Sequence, residues 1–167
     1  MMDKKIAGLM MAMIEYDRGD ARRIQHFVKV HDLAAAIGTL EGMAEDELFV
    51  LEAAAILHDI GIHVSEVKYG SCSGKYQELE GPGEAEKLLQ QLGGFTAGQI
   101  ERIKYLIAHH HTYTEIDGLD YQILVEADFL VNLYEDNSPA SAIKSVREKI
   151  FKTQAGIAML ANMFAVE

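Results

Sequence analysis

The chain has 167 residues and a net charge of −11, from 15 basic and 26 acidic residues. Hydrophobic residues make up 49% and charged residues 25%, ordinary values for a globular chain, which excludes a disordered one. The acidic balance argues against a nucleic-acid polymer or an anionic membrane as partner, because both select a basic surface.

Cys72 is the single cysteine, so no disulfide and no cysteine-based zinc cluster forms within the chain, and a reducing, cytoplasmic setting is expected. Lys4 and Lys5 precede an amphipathic stretch with no small-residue cleavage site, so the start is not read as a signal peptide. No continuous apolar run approaches the roughly 18 residues of a membrane span.

Ile6, Leu9, Met10, Met13 and Ile14 keep the i, i+3, i+4, i+7 rhythm of a first helix. Met10, Met11 and Met13 are read as core filling or a small homodimer face. Asp20 is the expected N-cap of a second helix running to about Leu40, whose face carries His26, Val30, Leu33 and Ile37. A third, from about Glu45 to Ile60, is apolar nearly all round and is expected to be the buried central helix. Gly61 stands where a left-handed cap would end it.

The polar stretch from Val64 to Gly81 reads as a long loop, of the kind that often carries function. Pro82 then marks the start of a fourth helix containing Leu88, Leu89 and Leu92, and Gly93-Gly94 its end. Thr96 caps a fifth, with Ile100, Ile103, Leu106 and Ile107 leading into His109-His110-His111. A sixth covers about Leu119 to Tyr134, and Ser138-Pro139 opens a last helical region interrupted near Thr153 or Gly156. No segment alternates long enough to be a strand. The expected fold is all-α, a single domain of about six to eight helices over residues 1–167, with a core at about 20–135 and a C-terminal helical region at about 138–166.

Several polar residues occupy positions where apolar ones belong. His26, His58, Asp128 and His110 each share a helical face with aliphatic residues. Buried carboxylates are costly without partners, so Asp59 and Asp128 need a cation or strong donors. Two inward histidines with two inward carboxylates make a candidate metal site, and its nitrogen and oxygen donors suit manganese, iron, cobalt, nickel, zinc or magnesium rather than copper(I). A His-Asp pair alone says little, since roughly 0.4 would arise by chance in such a composition, and this chain has two, His31-Asp32 and His58-Asp59. A lone histidine on an apolar face is more often a hydrogen-bonded core residue than a ligand. The order and context carry the signal.

Arg22-Arg23-Ile24-Gln25-His26-Phe27-Val28-Lys29-Val30, with Ala34 following, resembles the opening helix of the HD-domain superfamily of metal-dependent phosphohydrolases. Ala53-Ala54-Ala55-Ile56-Leu57-His58-Asp59-Ile60-Gly61 resembles its central motif, and Ile123-Leu124-Val125-Glu126-Ala127-Asp128-Phe129-Leu130 its late helix. The resemblance spans about residues 20–135. It implies an all-α domain with His26, His58, Asp59 and Asp128 as metal ligands, the positions the burial pattern selects independently.

Two-metal members of that superfamily carry further histidines between the central motif and the last aspartate. Here His63, His109, His110 and His111 lie in that interval. His110 is in register with the apolar face and is the first choice for a catalytic or second-site group, His109 the second, and His111 has no assigned role. Tyr76 to Gly83 contains no histidine where some two-metal members place one, so one ion rather than two is expected.

The chemistry implied is hydrolysis of a phosphate ester of a small metabolite, a nucleotide for preference. Asp59 would orient the attacking water or accept its proton, and His109 or His110 would protonate the leaving oxygen. Arg22, Arg23 and Lys75 are the candidate phosphate contacts, whereas Lys68 reads as an ordinary solvated residue. The alternatives are a di-iron oxygenase, for which only one further inward histidine is evident, and a non-catalytic metal- or nucleotide-binding regulator.

Overall fold

Asp3, Asp20, Thr96 and Thr153 each turn a side-chain oxygen onto a backbone N–H two or three residues ahead, and each opens a helix. Thr96 and Gln99 complete a reciprocal capping box. The computed structural model describes all residues, Met1–Glu167. Its elements are α1 (Lys4–Tyr16), α2 (Ala21–Leu40), α3 (Glu45–Leu57), α4 (Ile62–Tyr69), α5 (Gly74–Leu92), α6 (Ala97–His109), α7 (Leu119–Glu135), α8 (Ala140–Lys149) and α9 (Gln154–Phe164).

The protein is all-helical, as the patterning predicts, with α3 at the centre. Val50, Leu51 and the run Ala53 to Leu57 are buried, and α3 packs against α1, α2, α6 and α7. The alanines keep those neighbours close while the leucines and isoleucine fill the gaps between them. Glu45–Tyr69 contains a window long and apolar enough to cross a membrane by composition, but 67% of it is buried against other helices and a turn at 58–61 interrupts it.

Nine helices stand where about six to eight were expected, for two reasons. The stretch from Val64 to Gly81 is not a loop: α4 and the first half of α5 occupy it, and only a short link at 70–73 separates them. The C-terminal region divides at Thr153, as the sequence suggests. Pro82 lies inside α5 rather than at its start, where it removes one backbone donor without ending the helix. Gly61 also departs from expectation. Its φ is −76°, so it is not a left-handed cap. A Cβ there would meet Gly81 N at 2.8 Å and Gln77 O at 2.9 Å, so glycine is required by close approach of backbone to α5. That contact fixes the turn carrying His58 and Asp59.

The C-terminal helices are tied to α7 by one fully buried side chain, Glu126. Its Oε1 accepts from Lys152 N at 2.7 Å, Thr153 N at 3.0 Å and Gln122 Nε2 at 2.7 Å, and Thr153 Oγ1 donates to Oε2. A Cβ on Gly156 would lie 2.0 Å from that carboxylate, which explains the glycine at the start of α9.

Candidate metal centre

Three elements bring the four ligand candidates together. His26 projects from the second turn of α2, His58 caps the end of α3 with Asp59 in the turn beyond it, and Asp128 lies at mid-length of α7. His26 Nε2 is 3.2 Å from His58 Nε2, 3.3 Å from Asp59 Oδ2 and 3.2 Å from Asp128 Oδ1. His58 Nε2 is 3.4 Å from the same two carboxylate oxygens. His58 is fully buried, and His26 and Asp128 are 4% exposed.

The remaining ring nitrogens show which atoms face inward. His58 Nδ1 donates to Ala55 O at 2.7 Å, and His26 Nδ1 lies 3.1 Å from Glu135 Oε2. With Nδ1 committed on both rings, two Nε2 lone pairs and two carboxylate oxygens converge on one point. For ligand bonds of about 2.1 Å, donors around a shared ion lie about 3.0 Å apart at octahedral edges and about 3.4 Å at tetrahedral ones. The observed separations fall in that range. Two carboxylates also neutralise a divalent charge, so the set fits the ion its residue types imply.

Protons hold the metal-free cluster together. Burial favours neutral His58, but Asp59 and Asp128 outweigh it and push its pKa up to about 9. Burial favours protonated Asp59, yet His58 and His110 hold its carboxyl well below the usual range. Asp128 is likewise held low against burial, by hydrogen bonds from His26 and His58. Asn132, one turn on, donates to Asp128 Oδ1 at 2.9 Å and orients it.

Asp59 faces two ways. Its Oδ2 joins the four-residue set, while Oδ1 lies 3.5 Å from His110 Nε2. His110 is fully buried, its Nδ1 donates to Ile107 O at 2.7 Å, and its Nε2 has no hydrogen-bond partner. An orphaned buried nitrogen aimed at a carboxylate marks a place for a further ligand. His111 completes a second donor group with Asp59 and His110. Gln77 gives its Nε2 to Cys72 O at 2.7 Å, so its Oε1 accepts from His111 Nε2 at 3.1 Å and leaves His111 Nδ1 as the free lone pair. Burial, then the charge of His110, pull the His111 pKa down to about 4, so the ring is neutral near pH 7.

Three residues at or behind the cluster carry no signal in the sequence: His111 lies in the turn after α6, which has no helical register, Gln77 falls in the stretch that reads as a loop, and Glu135 lies just past the expected end of the sixth helix at about Tyr134. His109, the second choice from the sequence, is not brought to the cluster. That ring stacks on Tyr105 at 4.1 Å and its Nδ1 donates to Tyr105 O at 2.7 Å. Arg22 and Lys75 are exposed, Arg23 is half-buried with its charge felt at Asp17, and none of the three makes a side-chain hydrogen bond or ion pair. Lys68 pairs with Glu80 at 2.7 Å on the surface, in line with its ordinary reading.

A family model described as HD domain matches residues 23–153. No curated protein and no solved structure matches the chain.

Proposed function

The chain belongs to the HD-domain family, and on that premise we propose that it is a metal-dependent phosphohydrolase acting on a small phosphorylated metabolite, a nucleotide for preference. The observation that carries this reading is the convergence of His26, His58, Asp59 and Asp128, with their donors 3.2–3.4 Å apart and the two histidines anchored through Nδ1. A divalent ion held there supplies Lewis acidity toward a phosphoryl oxygen and toward water.

The chain's own residues do the rest. Asp59, 16% exposed at its side chain, is the most accessible of the four and is assigned to orient the attacking water and take its proton. The water oxygen bonds to phosphorus as the ester P–O bond breaks, and the leaving oxygen takes a proton. His110, with its unpartnered Nε2 beside Asp59, is the donor for that step, and His109 is not. Arg22, Arg23 and Lys75 remain the proposed phosphate contacts. Arg23 shares α2 with His26 and is the first to test. Tyr113 exposes its ring and packs on Phe129, the residue after Asp128, at 5.0 Å, offering an apolar surface for a base. A reducing cytoplasmic setting fits the lone half-buried Cys72.

A second reading is favoured by one observation. The oxygenase alternative needs two further histidines beside the shared carboxylate, and His110 and His111 both gather at Asp59. Metal analysis of protein purified without added metal, with phosphate release measured on a nucleotide panel, separates the readings. About one metal per chain with phosphate release supports the proposal. Two irons per chain without phosphate release would sink it. His111→Ala is expected to leave the first ion and remove any second.

A further inference from the structure

The four histidines of the centre are anchored by different partners. His58 and His110 donate Nδ1–H to main-chain carbonyls, of Ala55 and Ile107, and His111 donates Nε2–H to the amide oxygen of Gln77. His26 alone has a carboxylate behind its anchoring nitrogen, with Nδ1 3.1 Å from Glu135 Oε2. The other oxygen of Glu135 is held by Lys29 Nζ at 2.8 Å. Lys29 in turn lies 5.5 Å from the Tyr134 ring, within cation–π range.

The placement follows helical spacing. Glu135 is seven residues after Asp128 on α7, and Lys29 is three after His26 on α2, so each helix presents one member of the centre and one supporting residue on a single face. Together the helices form a crossed clasp of His26–Glu135 and Lys29–Glu135. A carboxylate behind an imidazole fixes which nitrogen carries the proton and makes the opposite nitrogen a stronger donor to a metal.

We infer that Glu135 is the positioning residue of this centre, holding His26 with its proton on Nδ1 and its Nε2 lone pair on the ion, and that Lys29 holds Glu135 in place. The inference rests on the reading of the cluster as a metal site, and on nothing about the reaction. Because Ala55 O, Ile107 O and Gln77 Oε1 are neutral acceptors, Glu135 is the one charged partner on the anchoring side of a ring, away from the ion. Metal affinity is then set partly from the far end of α7, about two helical turns beyond Asp128.

The test is titration of the metal-free protein with Mn(II), followed by calorimetry, for the wild type, Glu135→Ala, Glu135→Gln and Lys29→Met. Glu135→Ala is expected to weaken binding about 10- to 100-fold. Glu135→Gln keeps the size and an acceptor oxygen, so it should fold as the wild type does and recover part of the loss. Lys29→Met should weaken binding less than Glu135→Ala. A second readout comes from the zinc-loaded proteins. The low-field NMR resonance of the His26 Nδ1–H should be slow to exchange in the wild type, shifted in Glu135→Gln and lost to exchange in Glu135→Ala.

Affinities within twofold of wild type in both Glu135 variants would overturn the inference while leaving the metal site intact. Weaker binding with an unchanged His26 signal would also overturn it, by reducing Glu135 to a packing role. Absence of any metal uptake by the wild type would remove the metal reading itself, and this inference with it.

Discussion

The chain contains two His-Asp dipeptides, and the fold makes opposite things of them. Both histidines are buried near the contact of α2 with α3. His31 is satisfied at both nitrogens: Nδ1 lies 3.0 Å from Asp32 Oδ1 and Nε2 lies 3.0 Å from Glu52 Oε1. Burial disfavours its charge, but the hydrogen bonds to Glu52 and Asp32 win and its pKa rises, and the Glu52 contact rivets α2 to α3. His58 has one nitrogen on a backbone carbonyl and the other crowded by His26, Asp59 and Asp128. A histidine whose partners are spread around its ring is a structural ion pair. A histidine whose neighbours all converge on one nitrogen together with a second imidazole has the surroundings of a metal ligand, the role proposed for His58.

The sharpest way to break that contrast is to remove each ring in turn. His58→Ala is expected to lower metal affinity by about a hundredfold or more, since it deletes a donor. His31→Ala should leave metal stoichiometry unchanged. Metal analysis after dialysis reads both, and equal loss in the two variants would erase the distinction.

Protonation sharpens it further. The folded pKa of His58, about 9 against an ordinary 6.5, means its contribution to metal-free stability is fully present below pH 6.5 and lost as pH rises through about 9. The span corresponds to about 3 kcal/mol. The ion displaces that proton, so metal affinity should rise by about tenfold per pH unit over the same interval. The Tm of metal-free protein should therefore fall between pH 6.5 and 9, while metal-loaded protein should not follow it. Parallel curves would argue against metal binding at His58.

His31→Ala leaves Glu52 without its ring donor and should cost about 2–3 kcal/mol, a Tm drop of about 5–10 °C. A Tm within 1 °C of wild type, on the scale of about 2–4 °C per kcal/mol, would remove His31 as a rivet.

The smallest effect lies at the end of α1. Asp17 is 6% exposed, and burial pushes its pKa up to about 6 despite His63 nearby. A raised carboxyl destabilises the fold above its folded pKa, and the penalty fades as pH falls through about 6 toward its ordinary value. Asp17→Asn should thus stabilise the protein by about 1 kcal/mol at pH 7.5 and not at pH 4. Thermal melts at the two pH values check this.

Much of the fold and of the centre was legible in the chain because side-chain chemistry is local. The caps at Asp20 and Thr96, a break near Thr153 or Gly156 and the all-apolar α3 follow from short-range rules, as does the inward register of His26, His58, Asp128 and His110. The errors share one cause. The polar, glycine-rich stretch from Val64 to Gly81 looks like a loop by composition, yet packing of α4 and α5 against neighbours makes it helical. Gly61 looks like a cap, whereas a contact with Gly81, twenty residues away, demands it.

The sequence by itself determined an all-helical acidic domain with an inward set of two histidines and two aspartates, since helical period dictates which residues share a face. Only the tertiary structure decided that His31 is a rivet, that His109 turns toward Tyr105 while His111 turns toward Asp59, and that Glu135 stands behind His26. Those assignments depend on distances between residues far apart in the chain, and helical period carries no information about which helices meet.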